Sequence, residues 1–322
     1  MMKTVQISIL ARVYGNVNAD ETIGNRVTIK KFYSSEGEVL PFVSARAIKY
    51  SIRQALKERG FEIDPFVAEK KEMRDSGNPI KYVDNDLFGF MAPYKGKKKG
   101  EGGSVNRQAP IAISYFKALK NTPINVEFGA RFPRENTIKI DKEKTEESNQ
   151  ESDQTLNPIP FEVEVADFIG RLNVLIYENV GKFTEEELTN VQDKNILQNI
   201  LQKEGKLYVL PEEERKKRLK AFLEILLIPS YVLPRRTNSL NIPEYKVALI
   251  VLNKEGVLPI YQYLDYVKEG VVNLEKLKRL KEIVEEAGSE AYIIDYDGWV
   301  EEEIFPKITV KQAVEKILNH LL

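Results

Sequence analysis

Residues 41–60 read PFVSARAIKYSIRQALKERG, and the helix this stretch predicts from Ser44 onward decides how the rest of the chain is arranged. The Ser44 hydroxyl is suited to accept from an orphan amide of the first turn. Gly60 stands where a residue of left-handed conformation would stop the helix. At about 100° per residue, Ala45, Ile48, Ile52, Ala55 and Leu56 share one apolar face, and Arg46, Lys49, Arg53 and Lys57 line a flank beside it. Like charges at that spacing repel by roughly a few tenths of a kcal/mol per close pair unless an anion spans them. The free amides and positive dipole end of the same helix suit a phosphate. A solvated surface has the same pattern, so the stripe needs support from elsewhere.

At 322 residues the chain has ample length to bury a core, and 42% hydrophobic with 30% charged residues is the balance of a globular protein. No apolar run reaches the roughly 18 residues of a membrane span, and the N-terminus lacks a signal-peptide pattern. The expectation is a cytoplasmic protein without membrane contact. With no cysteine there are no disulfides, thiolate zinc sites or thiol nucleophiles. The one histidine, His320, lies in a terminal segment expected to fray, so no His-based catalysis, metal site or cofactor is expected. A net charge of −1 conceals segregation: residues 95–107 are basic and residues 141–153 mostly acidic. Local basic surface, rather than net charge, is what draws a polyanion.

Along the chain, Val5, Ile7, Ile9, Ala11 and Val13 alternate with Gln6, Ser8 and Arg12, a half-buried strand, while Leu10 on the polar side implies partial cover there too. Asn16 to Asn25 reads as loop, followed by a hairpin through Val27–Tyr33 and Gly37–Val43. Periodicity then weakens over 61–108. There Asp84 and Asp86 read as turn and helix-cap residues, and KGKKKGEGGSVNR, with Lys97, Lys98, Lys99 and Arg107, as a mobile basic loop. Ala109–Leu119 is strand or helix, and Ile124–Phe132 strand. Asp141–Asn157 has the composition of a disordered excursion. Phe161–Tyr177 reads as two strands or one bulged near Gly170. Thr184 with Glu187 forms a capping box for a helix to about Gln202, and a second helix runs from Pro211 to Pro229. A loop with Arg235 and Arg236 leads to the continuously apolar Tyr245–Leu252, a central strand. A helix at Leu274–Ala287, a strand at Ala291–Tyr296 and a helix capped by Thr309 and Gln312 complete the chain.

This order is β-α-β-β-α-β with large inserts, an α+β fold. ISILARVYG (7–15), NADE (18–21), SARAIKYSIRQAL (44–56), DLFGFM (86–91) and FEVEVADFIGRLNVLIYENVG (161–181), taken in order, resemble the DevR-type backbone subunits of type I (I-B-like) CRISPR surveillance (Cascade) complexes. The likeness spans most of residues 3–252. It implies a modified RRM or ferredoxin-like core, an antiparallel sheet with two helices, elaborated as a single domain. The core would comprise about 3–60, 109–132, 158–181 and 211–252. Around it would lie an insertion at 61–108, a thumb-like excursion at 121–158, a helical insert at 184–206 and a C-terminal extension at 254–322.

The resemblance also implies a non-catalytic subunit that binds guide crRNA and polymerises head to tail along it in an antiviral complex. Its further partners would be other Cascade subunits and, by way of the guide, target DNA. Ser44, Arg46, Lys49 and Arg53 match the RNA-holding helix of that family. With Lys97, Lys98, Lys99, Arg107, Arg235 and Arg236 they form the expected RNA-binding set, whose phosphate contacts would tolerate any sequence. The sheet aromatics of an ordinary RNA-recognition motif are absent, so stacking on the sheet is not expected. Two alternatives stand beside this reading. One is a Mg²⁺-dependent endoribonuclease using Asp20 and Glu21, by analogy with related type III backbones; the other is a protein-only scaffold.

Overall fold

The computed structural model describes residues 2–17, 19–69, 72–95, 102–132, 158–191, 201–234 and 240–322. The elements that build the core, in chain order, are β1 (Thr4–Gly15), β2 (Lys31–Tyr33), β3 (Val39–Val43), α1 (Ala45–Glu58), α2 (Val83–Phe88), β4 (Ile111–Ile113), β5 (Phe116–Ala118), β6 (Ile159–Tyr177), α3 (Glu212–Leu227), β7 (Glu244–Asn253), α4 (Leu274–Glu286), β8 (Glu290–Asp295) and α5 (Val310–Leu321). β1 is central. It pairs antiparallel with β6 in unbroken register from Thr4↔Tyr177 to Gly15↔Ala166, and with β7 on its other side. β8 continues the sheet beyond β7. Beyond β6 the sheet runs through β5, β3 and β2, and β4 also pairs with β6. The strands of the β-α-β-β-α-β frame therefore stand in the order fourth, first, third, second, all antiparallel.

Alternation along β1 decides which face meets what. Val5, Ile7, Ile9, Ala11 and Val13 pack with Ile48, Ile52 and Leu56 of α1, Leu219, Phe222 and Leu226 of α3, and Val314 and Ile317 of α5. Leu10 projects the other way. With Val247, Leu249 and Val251 of β7 it joins a second core with Ile260, Leu264, Leu277, Leu280 and Trp299. The residues beyond 254 are thus more than an appendage, because they add β8 to the sheet and cover the face opposite α1 and α3. The polar side chains of that face are met by the cover. Gln6 accepts from Leu258 N–H (2.7 Å) and Asn253 Nδ2 (2.9 Å) and donates to the Leu258 carbonyl (2.8 Å), and Arg171 donates to the Leu264 carbonyl (2.9 Å).

Several local readings need correction. Residues 159–177 form one strand without a bulge. The change of apolar phase arises because Ile159–Val165 pairs with a separate strand, Asn125–Arg131, before the chain joins β1. Gly170 is required by close packing: a Cβ there would stand 2.9 Å from the Lys117 carbonyl oxygen. Within Asn16–Asn25, Ala19–Ile23 is a strand paired with Arg26–Ile29. Thr184 and Glu187 exchange their capping bonds and the 3₁₀ turn Glu186–Leu188 follows; residues 192–200 lie outside the described residues, and Gln202–Glu204 is a strand rather than a helix end. Gly102–Arg107, read as part of a basic loop, is a strand paired with Phe90–Lys95. His320 is docked rather than frayed, its Nε2 3.0 Å from the Asn253 carbonyl oxygen. The acidic stretch 141–157 lies outside the described residues.

Candidate functional site

The site is built on α1. Ser44 accepts from the Ala47 amide (3.3 Å), as its position before the apolar repeat predicts. Ile48, Ser51, Ile52, Ala55 and Leu56 are buried beneath the helix. Arg59, its C-cap residue, is tied to Glu224 of α3 at 2.8 Å. That fixes the flank carrying the cations, which are in three different states. Arg46 is exposed and makes no ion pair among the described residues. Arg53 donates to Asp84 Oδ2 at 2.9 Å. Lys49, between them in sequence, has no carboxylate partner among the described residues. Its ammonium lies 5.5 Å from the centre of the Phe88 ring, which the Arg53 guanidinium also approaches at 5.2 Å. Burial, then the neighbouring Arg53 charge, pulls the Lys49 pKa below its ordinary 10.5. Two cations thus share one aromatic ring with one carboxylate between them.

Phe88 is held there by a network that local sequence does not reveal. Asp86 lies fully buried between Arg107 (2.8 Å) and Arg218 (3.0 Å) and also accepts from the Gly181 amide (3.0 Å). Arg107 spends its remaining donors on Glu187 and on the carbonyls of Asp86, Asn179 and Lys182. Arg218 donates to Glu214 and to the Pro79 and Ile80 carbonyls. Asp64 accepts from Ser76 and Asn85 and orders the preceding loop. Asp84 and Asp86 are accordingly buried anchors of the 61–108 insertion, not turn and cap residues. Arg107 does not belong to an exposed cationic surface, since its side chain is 0% exposed. Burial raises the Asp84 carboxyl pKa, with Arg53 opposing.

Asp20 sits on the strand Ala19–Ile23, 3.7 Å from Lys30, and the Glu21 main chain is tied to the Thr28 hydroxyl. Among the described residues, no group of three or more His, Cys, Asp and Glu is placed to hold a metal ion. No helix among them is long and apolar enough to cross a membrane. Lys97, Lys98, Lys99, Arg235 and Arg236 lie outside the described residues. Sequence reasoning passed over Phe88 as the partner of α1, and it passed over a ring cluster at the sheet edge, Phe32, Phe42 and Tyr115.

Against known proteins, a family model described as CRISPR-associated negative auto-regulator DevR/Csa2 matches residues 64–232. Among solved structures, the chain is similar to a subunit of a "CRISPR RNA-guided surveillance complex", with a TM-score of 0.53 and 12% identity over 97% of this chain and 99% of that one. It is also similar to one from a complex described as "pre-nicking", with a TM-score of 0.56 and 11% identity over 99% of this chain and 100% of that one. At such identities the likeness speaks to the fold. No curated protein matches.

Proposed function

From the premise that the chain belongs to the DevR/Csa2 family of CRISPR-associated proteins, we propose that it is a non-catalytic subunit of a Cascade-type complex that holds guide crRNA through α1. The observation that carries this reading is Lys49, half-buried beside Arg53 and without a carboxylate partner among the described residues. Desolvating an ammonium next to a guanidinium is unfavourable in the free protein, and a phosphate lying across Arg46, Lys49 and Arg53 relieves it. The sheet order fourth, first, third, second supports an RRM-like core. The usual base-binding face of its central strands is covered by residues beyond 254, which leaves the helix flank for the RNA backbone. Lys97, Lys98, Lys99, Arg235 and Arg236 remain proposed contacts by their chemistry.

The arm formed by Asn125–Arg131 and Ile159–Val165 exposes Val126, Phe128 and Ile159, and is the base of the proposed thumb reaching toward a neighbouring copy. Copies would follow one another head to tail along the guide in the cytoplasm, beside other Cascade subunits, with target DNA entering by pairing to the guide. The test is assembly on single-stranded RNAs of increasing length, followed by sedimentation. The bound mass is expected to rise in steps of one protomer as the RNA lengthens. A single bound copy at every length, or no binding, overturns the reading.

A further inference from the structure

One cross-strand row runs over the sheet through Leu10 of β1, Arg171 of β6, Lys117 of β5 and Phe42 of β3, each directly opposite the next. The adjacent pair, Val43 and Phe116, belongs to the core on the helix side. By alternation, Lys117 and Phe42 project from the opposite side. On that side the segment from Leu258 to Tyr266 covers Leu10 and holds Arg171, and its far end reaches Lys120, whose ammonium lies 4.0 Å from the centre of the Tyr266 ring. The cover stops short of the β5, β3 and β2 edge, where Lys117 is exposed.

Phe42 there stacks on Phe32 with ring centres 4.1 Å apart and planes 18° from parallel. Tyr115 stands edge-on to both, at 5.7 Å and 5.3 Å. Phe32 is 40% exposed and Tyr115 51%, so substantial ring surface faces solvent. Lys117 lies directly across from Phe42 and has no ion-pair partner among the described residues.

We propose that Phe32, Phe42 and Tyr115 form a stacking platform for an unpaired base of a single-stranded nucleic acid, with Lys117 taking a flanking phosphate. The inference rests on the reading of this chain as an RNA-binding subunit and deepens it. Flat rings beside an unpaired cation match a polyanion whose every monomer has a π-face, which gives contact without sequence preference. The platform stands where the sheet is open, two strands outward from the covered centre. That accounts for the absence of the usual sheet aromatics from the central strands.

The probe is a single-stranded RNA of guide length and its abasic counterpart, which keeps every phosphate. Wild type is expected to prefer the base-bearing strand, and Phe32→Leu with Tyr115→Leu, which keeps apolar area but removes the π-faces, to lose about tenfold on that strand alone. Tyr115→Phe should bind as wild type does. A leucine variant that keeps the full preference overturns the platform. So does one that loses self-association while binding RNA normally, because the face would then be a protein contact. Failure of wild type to bind either strand overturns this inference together with the reading beneath it, whereas equal binding of both strands by wild type overturns the platform alone.

Discussion

Arg107 and Arg218 carry the same charge sign as Arg46 and Lys49, yet the two pairs live in opposite surroundings. Around Asp86 both guanidiniums are buried, and carboxylates or carbonyls meet all five donors of Arg107 and four of Arg218. On α1, Arg53 has Asp84, while Lys49 and Arg46 have no carboxylate among the described residues. The first arrangement is nearly saturated and buried, which suits it to hold the fold together. The second has cations in excess and is stabilised by whatever anion arrives. Counting basic residues does not separate the two; counting what each donor already touches does.

The largest expected effect tests the completeness of the first region. Asp86→Ala strands two buried guanidiniums and should lower stability by about 3–5 kcal/mol in urea denaturation. A loss below about 1 kcal/mol would make the network as dispensable as a surface pair.

Asp84→Asn should cost less, about 1 kcal/mol, since the amide oxygen can still accept from the Asp64 N–H. Its pH dependence is the sharper check. Because burial raises the folded pKa of Asp84, the native state holds its proton to higher pH than the unfolded chain. Wild type should therefore lose stability relative to the variant as pH rises from the unfolded carboxylate range through that raised value. An ordinary exposed ion pair would show the reverse.

Lys49→Met should move stability by no more than about 1 kcal/mol at neutral pH. The folded pKa of Lys49 is depressed, so the unfolded chain binds more protons, and wild type gains stability as pH rises from the depressed value toward 10.5. The methionine variant should lack that rise. A Lys49→Met variant as damaged as Asp86→Ala would mean that Lys49 is structural. The smallest expected effect is that of Asp20→Ala, which should leave complementary RNA intact in Mg²⁺, as wild type does. Regular cleavage by wild type that vanishes in the variant and in chelator would make the protein an enzyme.

What the sequence made legible was local. The alternation of β1, the Ser44 cap and the Thr309–Gln312 capping box are each written within a few residues and are all present. Leu10 even announced that the polar side of β1 was covered. The Asp86 network was not legible, because its members are 21 and 132 positions apart and no local period links them. Asp84 and Asp86 looked like turn residues for the same reason, their partners being remote. In the ring cluster, Phe32 and Phe42 share the expected hairpin, but Tyr115 comes from a distant segment that only the sheet order brings beside them. The helix after Thr184 is legible only at its start: the capping box is present and a 3₁₀ turn follows it, while residues 192–200 lie outside the described residues.

The central claim is that α1 presents cations to the RNA backbone, and the salt dependence of binding tests it most directly. Affinity for a guide-length single strand would be measured across a salt series for wild type and for Arg46→Gln with Lys49→Met. Removing two phosphate contacts should weaken binding and flatten the log–log slope by about 1.4, at roughly 0.7 per contact on a single strand. An unchanged slope and affinity in a variant that remains folded would contradict the account.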